Sequence, residues 1–97
     1  MAVRLVITLN AAPGCGADLA KAFGERCALV REEPGCEQFE IFQSADNPDK
    51  LVLLELWKDQ AALDAHTQMN TTRTPLPRHL VGPGGAGRED YEYVKTH

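Results

Sequence analysis

Lys50-Leu51-Val52-Leu53-Leu54-Glu55-Leu56-Trp57 decides the fold. Side chains along a strand point alternately to its two faces. Leu51, Leu53, Glu55 and Trp57 therefore share one face, and Val52, Leu54 and Leu56 share the other. Both faces are apolar. A strand in an antiparallel sheet with one wet face alternates apolar with polar residues. This one does not, so something must cover each side of its sheet. Helices can cover one side of a small sheet. The other needs a second subunit or an apolar ligand cavity.

The flanking sequence supplies the rest of that sheet. Ser44-Ala45-Asp46-Asn47-Pro48-Asp49 is a polar turn, which makes a hairpin of Lys50 to Trp57 and the preceding run, Cys36 to Gln43. In that run Phe39 and Ile41 lie on one face, with Cys36, Gln38, Glu40 and Phe42 on the other. Upstream, Val3 to Leu9 reads as a strand that Ala11-Ala12-Pro13-Gly14 ends. A helix follows from about Ala17 to Glu32, with Leu19, Phe23, Cys27 and Val30 as its apolar stripe. Glu33-Pro34-Gly35 stops it, because Pro34 disfavours a helical residue before it and Gly35 can turn the chain.

Downstream, Asp59 is a good N-cap for a short helix carrying Ala61, Ala62, Leu63 and Ala65. Residues 71–87 hold Pro75, Pro77, Pro83 and four glycines, and read as one long irregular segment with a turn of helix near Arg78 to Val81. Such a loop is a candidate lid. Tyr91 to Lys95 closes as a last short strand. The order strand, helix, strand, strand, helix, strand is the ferredoxin-like βαββαβ pattern of an α+β fold, in a single domain spanning residues 1–97.

Composition narrows the function. The 97 residues are 43% hydrophobic and 25% charged, as in ordinary globular domains. The net charge is −4 and the ten Lys and Arg are scattered, so no basic stripe exists for nucleic acid. No apolar run approaches the ~20 residues that span a bilayer. Cys15, Cys27 and Cys36 are odd in number and follow no charged-then-apolar leader, which points to free thiols in a cytoplasmic protein. They form no C-x-x-C, and His66, His79 and His97 are far apart in sequence, so no metal site is expected. Gly82-Pro83-Gly84-Gly85-Ala86-Gly87 spells G-x-G-x-x-G, but a dinucleotide site needs a preceding strand, a following helix and a whole βαβ unit. The segment reads as a flexible loop.

Three local motifs point further. Pro13-Gly14 ends the first strand, Glu33-Pro34-Gly35-Cys36 leads into the second, and Leu54-Glu55-Leu56-Trp57 is followed by Ala62-Leu63 and His66. Together they resemble the antibiotic-biosynthesis-monooxygenase domain over roughly residues 3 to 66. The resemblance implies a four-stranded antiparallel sheet with helices on one face. It also implies a homodimer, a dimeric α/β barrel in which two sheets pack face to face. It further implies oxidation of phenolic or hydroquinone-type substrates by O2 without metal or flavin. Other proteins of this fold isomerise small molecules or degrade haem. The haem degraders' Asn, Trp and His fall here near Asn10, on His66 and on Leu76, so that triad is not reproduced. After His66 the resemblance stops, because residues 71–87 replace a helical stretch.

The candidate residues each have two readings. His66 could take a proton from a phenol near neutral pH, or could hold helix against strand. Glu55, a carboxylate among apolar neighbours, must be paired, hydrogen-bonded or raised in pKa, and could serve as a base. Trp57 could wall an aromatic substrate or anchor the core. Asn10 could orient a substrate oxygen or form a turn, and Arg73 could hold an anionic substrate or lie solvated. The expected function is a cofactor-independent monooxygenase acting on a small aromatic substrate. The alternatives are an isomerase on the same dimer and a non-catalytic dimer that binds a small ligand.

Overall fold

The computed structural model describes residues 1–96, so His97 lies outside it. Strand β1 (Val3–Ala11) leads into helix α1 (Gly16–Val30), the hairpin β2 (Cys36–Gln43) and β3 (Lys50–Trp57), helix α2 (Gln60–Asn70), a 3-10 turn (Arg78–Leu80) and strand β4 (Val81–Glu92). The sheet order is β2-β3-β1-β4, and every neighbouring pair is antiparallel. This is the expected βαββαβ α+β architecture. Among the described residues, no helix is long and apolar enough to cross a membrane.

The central strand alternates as its sequence requires. Leu51, Leu53, Glu55 and Trp57 are buried beneath the helices, whereas Val52, Leu54 and Leu56 are half-buried on the opposite face. Under the helices, Leu5, Phe39, Leu53 and Trp57 from three strands pack against Cys27, Val30, Ala62 and Leu63. A second cluster joins Leu9, Leu19, Leu51 and Leu80. Burying side chains of this size stabilises the fold by ~1.5–3 kcal/mol each.

The cap of α2 is the one expected: Asp59 Oδ1 accepts the Ala62 N–H at 2.9 Å. The cap of α1 comes from far along the chain. Cys15 at its N-cap makes no side-chain cap, and the Asp49 carboxylate accepts from Gly14 N at 3.0 Å and Gly16 N at 2.9 Å. The hairpin turn thus sits on the start of α1. Only glycine fits at residue 16, since a Cβ there would lie 1.9 Å from the Pro48 carbonyl oxygen.

Two expectations need correction. Alternation puts Cys36 on the face of Gln38, Glu40 and Phe42, opposite Phe39, but the register shifts between Cys36 and Gln38 and turns Cys36 against the core. Residues 71–87 were read as one irregular loop, with the last strand starting at Tyr91. The irregular stretch ends at Pro77, and residues 81–92 form β4. The glycines belong there because β4 runs so close to β1: a Cβ on Gly82 would lie 2.6 Å from Ala11 O, and one on Gly84 would lie 2.9 Å from Asn10 Nδ2. Between the pairs Leu9↔Ala86 and Ala11↔Val81, Asn10 alone stands opposite residues 82–85. That long bulge holds Gly85 at φ +67°. The glycine-rich run is a strand that bulges, and not a free loop.

Gly16→Ala is expected to force the hairpin off α1, destabilising by about 1–3 kcal/mol and lowering the melting temperature by roughly 5–15 °C. Thermal unfolding followed by circular dichroism checks it.

Candidate functional site

Beneath the helices lies a polar cluster that the sequence only half announces. Trp57, at the end of β3, stacks its indole on the His66 ring of α2, with centroids 4.6 Å apart and planes 29° apart. Phe39 packs on the same imidazole at 5.5 Å. Glu55, two residues back on the same face of β3, accepts the Trp57 Nε1–H at 2.9 Å. The indole therefore carries a carboxylate on its polar edge and an imidazole on its face.

His66 is 6% exposed and Glu55 3%. The imidazole is held from its far side by Glu33, in the turn between α1 and β2. His66 Nδ1 lies 3.0 and 3.2 Å from the two Glu33 oxygens. Arg73 Nη1 donates to Glu33 Oε2 at 2.6 Å. Glu33 is 9% exposed and the Arg73 side chain 17%, so this is an almost buried ion pair with a histidine as its third member. The pair joins the end of α1, α2 and the segment that follows α2.

The two buried carboxylates differ in their compensation. Glu33 has a cation and a ring nitrogen. The hydrogen bond found for the Glu55 side chain comes from a neutral indole, so burial pushes its pKa up from the ordinary 4.5, and the Trp57 hydrogen bond and the nearby His66 only partly offset this. Burial, with Glu33 and Glu55 nearby, also pushes the Cys36 thiol up to about 11, which makes it a poor nucleophile.

Antiparallel pairs place Glu55, Leu5 and Asp90 in one row across β3, β1 and β4, and Leu53, Ile7 and Arg88 in the next. Arg88 Nε and Nη2 donate to the two Asp90 oxygens, each at 2.8 Å, on the half of the sheet that the helices leave open. A cleft of about 580 Å³ lies beside them, bordered by Val3, Gln60, Ala61 and Asp90.

Of the expected residues, the structure brings His66, Glu55 and Trp57 into one cluster and attaches Arg73 to it through Glu33. Arg73 turns inward to that carboxylate instead of outward to a ligand. Asn10 lies apart. It pairs with Lys50, five positions along β1 from the row of Glu55, and donates weakly to the Gly85 carbonyl at 3.5 Å inside the β4 bulge. It also borders a concavity of about 570 Å³ with Thr8, Phe42, Ser44 and Lys50, away from His66. Sequence reading missed Glu33, whose signal was its place beside Pro34-Gly35, and Arg88 and Asp90, whose i,i+2 spacing shows only once β4 is drawn. Among the described residues, no group of three or more His, Cys, Asp or Glu side chains could hold a metal ion.

The family model for antibiotic biosynthesis monooxygenases matches residues 2–74, the stretch that carries Glu33, Glu55, Trp57, His66 and Arg73. The chain belongs to that family. Solved structures share its fold throughout. A Pseudomonas aeruginosa protein is 23% identical, with 97% of this chain and 95% of that one covered, at a TM-score of 0.78. A Shewanella oneidensis protein is 25% identical over 93% of this chain and 88% of that one, at 0.75. A Nitrosomonas europaea protein, named as a candidate antibiotic biosynthesis monooxygenase, is 18% identical over 98% and 92%, at 0.79. No protein of curated function matches the sequence.

Glu55 carries a pH signature. Its raised pKa means that the folded state holds the proton more tightly than the unfolded chain. Stability is therefore greatest below 4.5 on this account and falls as pH rises from there through the folded pKa. Glu55→Gln keeps an acceptor for Trp57 Nε1 and removes the titration. The variant is expected to be at least as stable as the parent at pH 7–8 and to lose this part of the pH dependence, as urea titrations across pH 4–9 would reveal.

Proposed function

We propose that this family member is a monooxygenase that needs no prosthetic cofactor and acts on a small electron-rich aromatic ring, a phenol, hydroquinone or anthrone-like compound. One observation carries the reading: two basic groups, the imidazole of His66 and the under-compensated carboxylate of Glu55, are set on a single aromatic wall, Trp57. The cleft beside Asp90 and Gln60 is the approach for a ligand, and its volume of about 580 Å³ suits a small one.

Trp57 is fully buried and His66 nearly so, so in this reading the cluster opens from the side of the cleft to admit the ring, and His66 takes its acidic proton. The positive charge that arrives on the imidazole meets Glu33 at Nδ1 and the nearby Glu55 carboxylate. The anion left behind reduces dioxygen: one electron passes to O2, the radicals recombine into a carbon–oxygen bond, and the hydroperoxide loses water. For an anthrone-like CH2 the sum is CH2 plus O2 giving C=O plus H2O. One oxygen atom enters the product, the other leaves as water, and all four electrons come from the substrate. The protein supplies desolvation, orientation and charge stabilisation. Asn10 is too far along β1 to share in this step, and Arg73 serves it through Glu33.

Oxygen uptake with a panel of hydroquinones and polycyclic phenols tests the proposal. General-base catalysis is worth about 10²–10⁴-fold, so His66→Ala should lower turnover roughly a hundredfold. Glu55→Gln should lower it tenfold or more without loss of stability. Turnover within threefold of the parent in either variant would remove that residue from the reaction. Uptake nowhere in the panel, with substrate rearranged under nitrogen, would instead favour the isomerase.

The uncovered face of the sheet supports a homodimer. Val6, Val52, Leu54 and Leu56 form an apolar band there, and Phe42 and Tyr91, 45% and 52% exposed, flank it. Light scattering should give about twice 10.6 kDa at micromolar concentration. Leu54→Arg would place a charge in the middle of the band and should return the mass to the monomer with the circular dichroism spectrum kept. A parent that is already monomeric would remove this assembly.

A further inference from the structure

Three features of Glu33 stand apart from ordinary packing. It lies outside both helices and all four strands, yet it is nearly buried. Its carboxylate meets a ring nitrogen and a guanidinium at once: His66 Nδ1 lies 3.0 Å from Oε1 and 3.2 Å from Oε2, and Oε2 also accepts from Arg73 Nη1 at 2.6 Å. The imidazole it touches is clamped by Trp57 on one ring face and by Phe39 at 5.5 Å. Ring stacking fixes the plane of an imidazole but not which nitrogen carries the proton. An ionised carboxylate only accepts hydrogen bonds, so Nδ1 must be the donor. The Arg73 guanidinium matches the charge of Glu33, and a neutral imidazole completes the cluster with no charge left over.

Among the described residues the hydrogen bonds of His66 are made through Nδ1, and Nε2 has none. Among the described residues no fully buried side-chain nitrogen or oxygen lacks a partner, so Nε2 reaches accessible space. We infer that Glu33 is the positioning residue of the site: it holds His66 as the Nδ1–H tautomer and leaves Nε2 as the basic nitrogen. The inference rests on the proposed reading only for the step that follows. There the O–H bond of the substrate breaks and an Nε2–H bond forms. The imidazolium then keeps its Nδ1–H on Glu33, and the proton later leaves from Nε2 to the departing water.

Arg73 acts on the imidazole only through Glu33. Its contacts to Met69 Sδ at 3.5 Å and Asn70 Oδ1 at 3.4 Å are with α2, the helix that carries His66. Removing Arg73 would leave Glu33 with an unmatched charge beside the imidazole, which favours a doubly protonated ring. Removing Glu33 would leave the tautomer unspecified. The two substitutions thus push the ring in different directions, which a purely space-filling role would not do.

The test is ¹⁵N-histidine correlation spectroscopy on the full chain above the pH at which His66 titrates, with His66→Ala to assign the signal. The parent should show an Nδ1–H imidazole with an unprotonated Nε2. Glu33→Gln should give a mixture of tautomers or the Nε2–H form. Its kcat for oxygen uptake should fall tenfold or more with KM within twofold. A parent spectrum with Nε2–H overturns the inference without any variant, so poor folding of Glu33→Gln cannot shelter it. A folded Glu33→Gln whose spectrum matches the parent's overturns it too. If the parent spectrum is as expected and no substrate is consumed, the positioning by Glu33 is supported and the oxygenase reading is what fails.

Discussion

Taking a carboxylate out of water is unfavourable unless other groups replace the hydration, and in this molecule three chain segments converge to do that for Glu33. His66 comes from α2 and Arg73 from the turn after it. Glu33 itself stands where α1 gives way to β2. The pair therefore sets where α2 lies over the sheet and where the chain goes once α2 ends. Segment 71–77 has no regular structure of its own, yet it is tied at Arg73 to Glu33, and Arg26 of α1 donates to the Thr74 carbonyl. Leu80 then seals it into the second core cluster. Without the ion pair the helix would still have an apolar face and the rings could still stack, but Nδ1 of the imidazole would lose its partner.

Glu55 is the counter-case. It sits deeper in the core than Glu33 and has less to compensate it, a single neutral hydrogen bond from an indole. A glutamine of the same shape would keep that hydrogen bond without the desolvation of a charge. Burial without a cation raises the pKa of Glu55, so ionising it costs more in the folded chain than in the unfolded one. The contrast separates the two residues by surroundings: Glu33 has a cation and a ring nitrogen against it, and Glu55 has an indole N–H.

Much of this was legible in the sequence where local pattern and tertiary structure agree. The two apolar faces of β3 announced a sheet needing cover on both sides, and Asp59 announced the start of α2. Trp57, Glu55 and His66 could be singled out because their types are conspicuous at their positions. Glu33 could not, since in sequence it is one more acid at the polar end of a helix, and its partners are 33 and 40 residues away. β4 failed for a similar reason. Its glycines and proline break strands by local propensity, but the close backbone of β1 leaves no room for a side chain at Gly82 or Gly84, so pairing overrides propensity. Cys36 was assigned to the wrong face because strict alternation takes no account of a register shift, which flips every residue before it.

The sheet divides the molecule's work by parity. On β3 the odd positions, Leu51, Leu53, Glu55 and Trp57, face the helices and carry core and site. The even positions, Val52, Leu54 and Leu56, face away from them. A substitution at an even position leaves the hydrogen-bonding environment of Glu55 and His66 untouched, because the sheet backbone stands between. A substitution at an odd position reaches the site and leaves the uncovered band unchanged. Changes to the uncovered band and changes to the buried cluster can therefore be made on neighbouring residues of one strand and read separately. Tyr91 extends the same logic to β4, where it pairs with Arg4 on the uncovered face while Asp90 beside it pairs with Leu5 toward the site. A small domain with one sheet has only two faces, and a strand whose two faces are both apolar is what leaves one to the helices and the buried polar cluster and the other as an uncovered apolar band.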